Sequence, residues 1–145
     1  MLGRTYDREI CSAARTLEIV GERWSLLIIR NAMFAGSTRF TEFQRKLGVA
    51  PNILSSRLDR FVAAGLMSEQ ESGEYVLTPQ GLDLQPVIIA LTEWGDRWEA
   101  PDGPPMIYEH DCGGRVHQQL SCDNCAATPT PDQVKARPGP GFKPR

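Results

Sequence analysis

Glycine recurs at positions 21, 36, 48 and 65, each time directly behind a run of apolar residues at helical spacing. Glycine reaches the left-handed backbone that ends helices at no steric cost, so this stretch is limited to short helices rather than one long one. The first, over residues 12–20, places Ala13, Leu17 and Val20 on one face. The second, over residues 24–35, reads WSLLIIRNAMFA and is apolar on nearly every side, which makes it the central helix. Ser37 or Thr38 can cap a third that contains Phe40, Phe43 and Leu47. Pro51 suits the first turn of a fourth, where its missing N–H costs nothing, and Leu54, Leu58 and Phe61 line that helix's inner face.

Two β-prone runs, residues 66–70 and 75–77, flank Glu71-Ser72-Gly73-Glu74 and predict a small hairpin. Thr78 and Pro79 then restart a helix expected to run unbroken to residue 98, with Leu84, Val87 or Ile88, Leu91, Trp94 and Trp98 at near-heptad spacing. From APDGPP, residues 100–105, the chain is rich in proline and glycine and holds three of its four cysteines. The expected organisation is a mainly α domain with a small β-hairpin wing over residues 1–99, followed by a Cys-containing extension over residues 100–145. The closing RPGPGFKPR has too little apolar content to order itself. Charges stand where a secretion signal needs its apolar core, and the longest apolar runs, 26–29 and 87–91, fall short of the roughly 18 to 20 residues of a membrane span. A cytoplasmic protein is expected.

Two helices joined by Gly48-Val49-Ala50 and followed at once by a hairpin form the pattern of a winged helix-turn-helix. With Leu54, Leu58 and Phe61 inward, Asn52, Ser55, Ser56 and Asp59 point outward and Arg57 and Arg60 flank them. Short polar groups can approach base edges, while longer arginines reach phosphates. The expected contacts are therefore Arg39, Lys46, Arg57 and Arg60 to phosphates, with Thr41, Asn52, Ser55 and Ser56 near the groove of double-stranded DNA. The wing, carrying Glu69, Glu71 and Glu74, suits phosphate contact poorly.

Net charge sharpens this reading. A formal −2 and a pI near 5.7 exclude binding by bulk positive charge. Residues 39–60, however, hold Arg39, Arg45, Lys46, Arg57 and Arg60 against Glu42 and Asp59, a local +3 that leaves −5 for the rest. The alternative use of the same helix is to hold another protein, as an interaction module without specific DNA binding. No Ser/His/Asp set, phosphate-binding glycine loop or histidine-rich catalytic cluster is present, so an enzyme is not expected.

Between Cys11 and about Trp98 the chain resembles the HxlR-type winged helix-turn-helix transcriptional regulators, within the MarR-like superfamily. The stretches that carry the resemblance are Cys11-Ser12-Ala13-Ala14, Ile19-Val20-Gly21-Glu22-Arg23-Trp24-Ser25-Leu26-Leu27-Ile28, Arg39-Phe40-Thr41-Glu42-Phe43, Leu54-Ser55-Ser56-Arg57-Leu58, Ala64-Gly65-Leu66, Tyr75-Val76-Leu77-Thr78-Pro79-Gln80-Gly81 and Trp94-Gly95. The chain departs from the family at Gly21-Glu22-Arg23-Trp24, usually Gly-Gly-Lys-Trp, and at Ala50, usually Ser. The resemblance implies a homodimer on a palindromic operator, joined through the N-terminal helix and the helix ending at Trp98. It also makes Cys11 a candidate sensor of oxidants or electrophiles, with a small buried residue at the dimer interface as the alternative. Asp7 and Glu9 nearby oppose thiolate formation.

The remaining cysteines lie in His110-Asp111-Cys112-Gly113-Gly114 and Cys122-Asp123-Asn124-Cys125. His110, Cys112, Cys122 and Cys125 could complete a tetrahedral structural zinc site, with His117 as an alternative fourth ligand. A redox pair, or a ribbon that holds no metal, fits the same spacing. The small-molecule effector, if any, is not legible.

Overall fold

The computed structural model describes residues 5–144; Arg145, the last residue of the tail, lies outside them. Its elements are α1 (Ser12–Val20), α2 (Ser25–Phe34), α3 (Phe40–Leu47), α4 (Pro51–Ala63), β1 (Met67–Glu69), β2 (Tyr75–Leu77), α5 (Pro79–Leu82), α6 (Gln85–Trp98) and a short 3-10 turn at Pro131–Gln133. Among the described residues no helix is long and apolar enough to cross a membrane.

The chain divides into two compact units, the first ending at Ile88 and the second beginning at Ile89. The division falls within α6. The reason is visible inside the second unit, where the later half of α6 is tied to the extension. Glu93 accepts from His117 Nδ1 at 2.7 Å and from the Gln118 N–H at 3.2 Å, Thr92 bonds the Tyr108 hydroxyl at 3.4 Å, and Asp96 faces Arg115 at 3.7 Å.

In α2, α3 and α4 the core of the first unit is the set that helical spacing selects, whereas α1 buries Ala14 and Val20 and leaves Ala13 and Leu17 exposed. Ile28 and Ile29 of α2, Phe43 of α3, and Leu54, Leu58 and Phe61 of α4 are all fully buried. Burying each such side chain contributes about 2 kcal/mol of transfer free energy, so these six positions fix how α2, α3 and α4 pack. Between α3 and α4, Gly48 takes φ +68° and Val49 drops its side chain into the core. Ala50 is extended and Pro51 opens α4, as its fixed φ favours.

The start of α3 differs from expectation. The helix begins at Phe40 after Arg39, and neither Ser37 nor Thr38 caps it. Instead the Glu42 carboxylate reaches back to accept the N–H of Thr38 at 2.8 Å and of Arg39 at 3.1 Å. Two backbone donors on one carboxylate hold its pKa below the usual glutamate range. The Thr38 hydroxyl is left to donate to Glu74 of the wing at 3.2 Å.

β1 and β2 pair antiparallel with Met67 opposite Leu77, Ser68 opposite Val76 and Glu69 opposite Tyr75. The Tyr75 N–H donates to the Thr38 carbonyl at 2.7 Å, which fastens the hairpin to the segment before α3. The helix expected from residue 78 to 98 is broken into α5 and α6. Pro86 has no N–H to give to the Leu82 carbonyl, so the helical ladder is interrupted there and proline falls in the first turn of α6, where the missing N–H costs little. The chain ends α5 with a tight Leu84 N–H to Gly81 carbonyl bond at 3.2 Å and restarts.

Candidate nucleic-acid interface

α4 is two-sided. Its inner residues Leu54, Leu58 and Phe61 are fully buried, and Asn52, Ser55, Ser56 and Asp59 are exposed on the opposite side. This is the arrangement that the sequence spacing predicts. The buried apolar row holds the helix against α3, and the short polar row stands clear of the body. Thr41 of α3 is also exposed, as are Arg45 and Lys46 in the last turn of that helix.

The basic residues separate into two groups. Arg39, Arg45 and Lys46 lie at the surface. Arg39 donates to the Ser72 carbonyl in the wing turn at 3.1 Å, and Lys46 donates to the Ala35 carbonyl behind α2 at 2.8 Å. The charged groups themselves, Arg39 Nη1 and Lys46 Nζ, make these bonds, and both residues remain exposed.

Arg57 and Arg60, the two flanks expected to reach phosphates, have partners within the chain. Arg57 is ion-paired with Glu22, with its side chain only 15% exposed. Arg60 lies 3.6 Å from the same carboxylate and donates to the Glu18 carbonyl. Both guanidinium groups therefore face back toward α1 and the α1–α2 loop. The physical reason is Glu22, a carboxylate within reach of two arginines one helical turn apart. The reading from sequence missed this clamp. Its signal was the departure at Gly21-Glu22, an acidic residue where a second glycine is usual.

The wing's acidic residues also divide. Glu74 turns inward to Thr38 and accepts from the Ser72 hydroxyl at 2.9 Å. Glu69 accepts from the Tyr75 hydroxyl. Burial first, and then the charges of Glu69 and Asp59, push the Tyr75 pKa up. Asp59 of α4 and the wing thus share one electrostatic neighbourhood.

In the extension, Glu109 and Arg115 pair across a tight turn, and the Cys112 N–H donates to His110 Nδ1 at 3.2 Å. Cys122 and Cys125 meet in a second turn. There the N–H groups of Cys125 and Asn124 and the Cys125 thiol donate to the Cys122 sulfur and pull its pKa down. The structure thus brings the four expected ligands together as two pairs. Among the described residues no three His, Cys, Asp or Glu side chains gather as a metal cage. His117 is engaged by Glu93. Cys11 is exposed at the N-cap position of α1.

Comparison with known proteins agrees with this geometry. Residues 19–102 match the HxlR-like helix-turn-helix family. The HTH-type transcriptional regulator Rv3095 of Mycobacterium tuberculosis is 44% identical over 140 residues, covering 91% of this chain and 88% of that protein. The crystal structure of PA1607, assigned as a transcription factor, superposes with a TM-score of 0.79 at 36% identity, covering 91% of this chain and 97% of PA1607. Quinone-bound YodB from Bacillus subtilis superposes with a TM-score of 0.55 at 27% identity, covering 61% of this chain and all of YodB. α3, the Gly48 turn, α4 and the β1–β2 wing are accordingly a DNA-binding winged helix-turn-helix, and the chain belongs to the HxlR-like transcriptional regulators, a family of regulators and not of enzymes.

Proposed function

We propose that the chain regulates transcription as a homodimer on a palindromic operator, with α4 of each protomer entering the major groove of one half-site. The observation that carries this reading is the two-sidedness of α4, a fully buried apolar row backing an exposed row of Asn52, Ser55 and Ser56. Those three, with Thr41, read base edges. Arg39, Arg45 and Lys46 at the border of the row anchor phosphates. This reading keeps the protein in the cytoplasm with its DNA.

Dimerisation is supported by α6. Leu91, Trp94 and Trp98 are 54%, 57% and 66% exposed along one side of the helix, and Val87 extends the same stripe. Apolar area of this extent on one helix marks an interaction surface, and a two-fold pair of α6 helices covers it isologously. Half-sites would then be spaced by about one helical turn of DNA.

The test is to select bound fragments from genomic DNA, then measure complex mass by light scattering. A dimer on sites with two-fold symmetry is expected. A monomer at micromolar concentration, bound one per site, refutes the dimer. A mobility shift that does not respond to salt refutes DNA binding in favour of a protein partner.

Response to oxidants or electrophiles is part of the same proposal. Cys11 is exposed at the α1 N-cap, and YodB, a relative by fold, has been crystallised in both reduced and quinone-bound forms. Release of DNA by diamide or quinone that is unchanged in Cys11→Ser would refute this part.

A further inference from the structure

The extension turns back against the later half of α6. Arg115 bridges Glu109 in antiparallel fashion, and the Val116 N–H donates to the Tyr108 carbonyl at 2.8 Å, which fixes where the following residues lie. On α6, Glu93, Asp96 and Arg97 share one side of the helix at three- and four-residue spacing. These three face Arg115, His117 and Gln118 across an open cleft of about 390 Å³. That volume lies in the range of small-molecule sites, about 300 to 1,000 Å³. Every residue lining it is polar or charged.

The charges in this cleft are unevenly satisfied. Both oxygens of Glu93 are filled from within the chain, by His117 Nδ1 at 2.7 Å and by the Gln118 N–H at 3.2 Å. Asp96 is not served in this way. Its side chain is only 13% exposed, yet its partner Arg115 stands 3.7 Å away, too far for a hydrogen bond. Among the described residues no donor reaches the Asp96 carboxylate within hydrogen-bond distance. A carboxylate so far withdrawn from water is costly unless donors reach it. The Arg115 and Arg97 guanidinium groups are exposed, and among the described residues neither makes a hydrogen bond. One carboxylate short of donors therefore stands beside two cations with donors to give.

We infer that this cleft binds a small zwitterion of the α-amino-acid class, with its carboxylate across Arg97 and Arg115 and its ammonium on Asp96. The charge pattern selects that class. A simple anion leaves Asp96 without donors and is repelled by it, a simple cation leaves both guanidinium groups unmet, and an apolar molecule finds no apolar wall. In an α-amino acid the two charged groups are attached to the same carbon, which suits receptors as close together as Asp96 and Arg115. Leu91, Trp94 and Trp98 lie along a different side of α6, so an occupant of the cleft does not compete with the apolar stripe. The site is also independent of how α4 meets DNA.

The test takes the full-length chain through thermal melts and calorimetric titrations with each common α-amino acid, followed by the N-acetyl and carboxamide forms of any that bind. At least one amino acid is expected to raise Tm with concentration and to bind at one site per chain. Each blocked form should bind at least about tenfold more weakly, because each loses a charge-assisted hydrogen bond. Arg97→Ala changes an exposed residue, so it should leave the unliganded Tm unchanged and weaken binding about tenfold. Asp96→Asn keeps the side chain's shape and should bind the free and N-acetyl forms alike, a loss of discrimination that a merely structural role does not produce. Three results overturn the inference: no amino acid binds, a blocked form binds the wild type as tightly as the free one, or binding is unchanged in both Arg97→Ala and Asp96→Asn.

Discussion

Replacing Arg57 with alanine should cost stability and leave phosphate contact intact, the reverse of what its place on a recognition helix suggests. The Arg57 side chain is 15% exposed and its partner Glu22 33% exposed. Breaking a fully buried ion pair costs about 3 to 5 kcal/mol and breaking an exposed one typically less than about 1. This pair lies between those limits, so Arg57→Ala should lose about 2 kcal/mol. For a chain of this length that lowers Tm by about 6 °C. Glu22→Gln, which also releases Arg60, should lose at least as much, and the double variant should lose little more than Glu22→Gln alone, because that change already removes the Arg57 pair.

The second measurement is binding to random duplex DNA over a range of salt. Each phosphate contact contributes about 0.9 to the slope of log affinity against log salt. Arg57→Ala should leave the slope unchanged. Arg45→Ala, which changes an exposed residue, should reduce it by about 0.9 per chain with Tm unaffected. If Arg57→Ala instead keeps the wild-type Tm and lowers the slope, the guanidinium sits on phosphate and the Glu22 clamp has been misread.

Three shorter predictions follow from local geometry. A Cβ on Gly81 would stand 2.2 Å from the Leu66 carbonyl oxygen, so Gly81→Ala must displace backbone and should cost about 3 kcal/mol in urea unfolding. Glu42 has a folded pKa below its unfolded value, so its stabilisation is fully present above the unfolded pKa and is lost as pH falls through the folded one. The stability gap between wild type and Glu42→Gln should therefore be largest at neutral pH and close in acid, as followed by thermal melts. Trp94→Glu alters a 57% exposed residue, so it should leave chain helicity intact by circular dichroism while light scattering reports loss of the dimer.

What could be read from the sequence is what depends on spacing within one element. The inner row of α4, Leu54, Leu58 and Phe61, and its outer row, Asn52, Ser55 and Ser56, follow from 3.6-residue periodicity alone, and the structure buries and exposes them accordingly. The wing was legible from Gly73 between two β-prone runs, to within a residue or two of β1. The α5–α6 break was also written in the chain, at Pro86, but near-heptad apolar spacing continued across it and outweighed a single local rule. Glu42 was overlooked as a cap because serine and threonine hydroxyls are the usual acceptors, although a carboxylate three residues inside the helix reaches the same donors. The spacing placed Arg57 and Arg60 on the flanks of α4 but could not show what their guanidinium groups meet. Their partner, Glu22, is 35 residues distant from Arg57 in the chain, and only packing of α4 against the α1–α2 loop brings it near.

That packing changes the electrostatics of recognition. Five cations per chain in residues 39–60 imply ten phosphate contacts per dimer and a salt slope of about 9. With Arg57 and Arg60 held by Glu22, three remain, Arg39, Arg45 and Lys46, beside an exposed Asp59. The slope of the proposed dimer should then be about 5. Non-specific affinity scales with the same count, so on the proposed dimeric reading random DNA should be held weakly, with more of the affinity for an operator coming from the polar row of α4 and from engagement of both half-sites. The consequence is measurable in one titration series. A slope near 9 on random duplex would mean that the clamp opens on DNA and that Glu22 exchanges its arginines for phosphate. A slope near 5, unchanged in Arg57→Ala, would mean that the arginines brace the recognition helix while Asn52, Ser55 and Ser56 read the site.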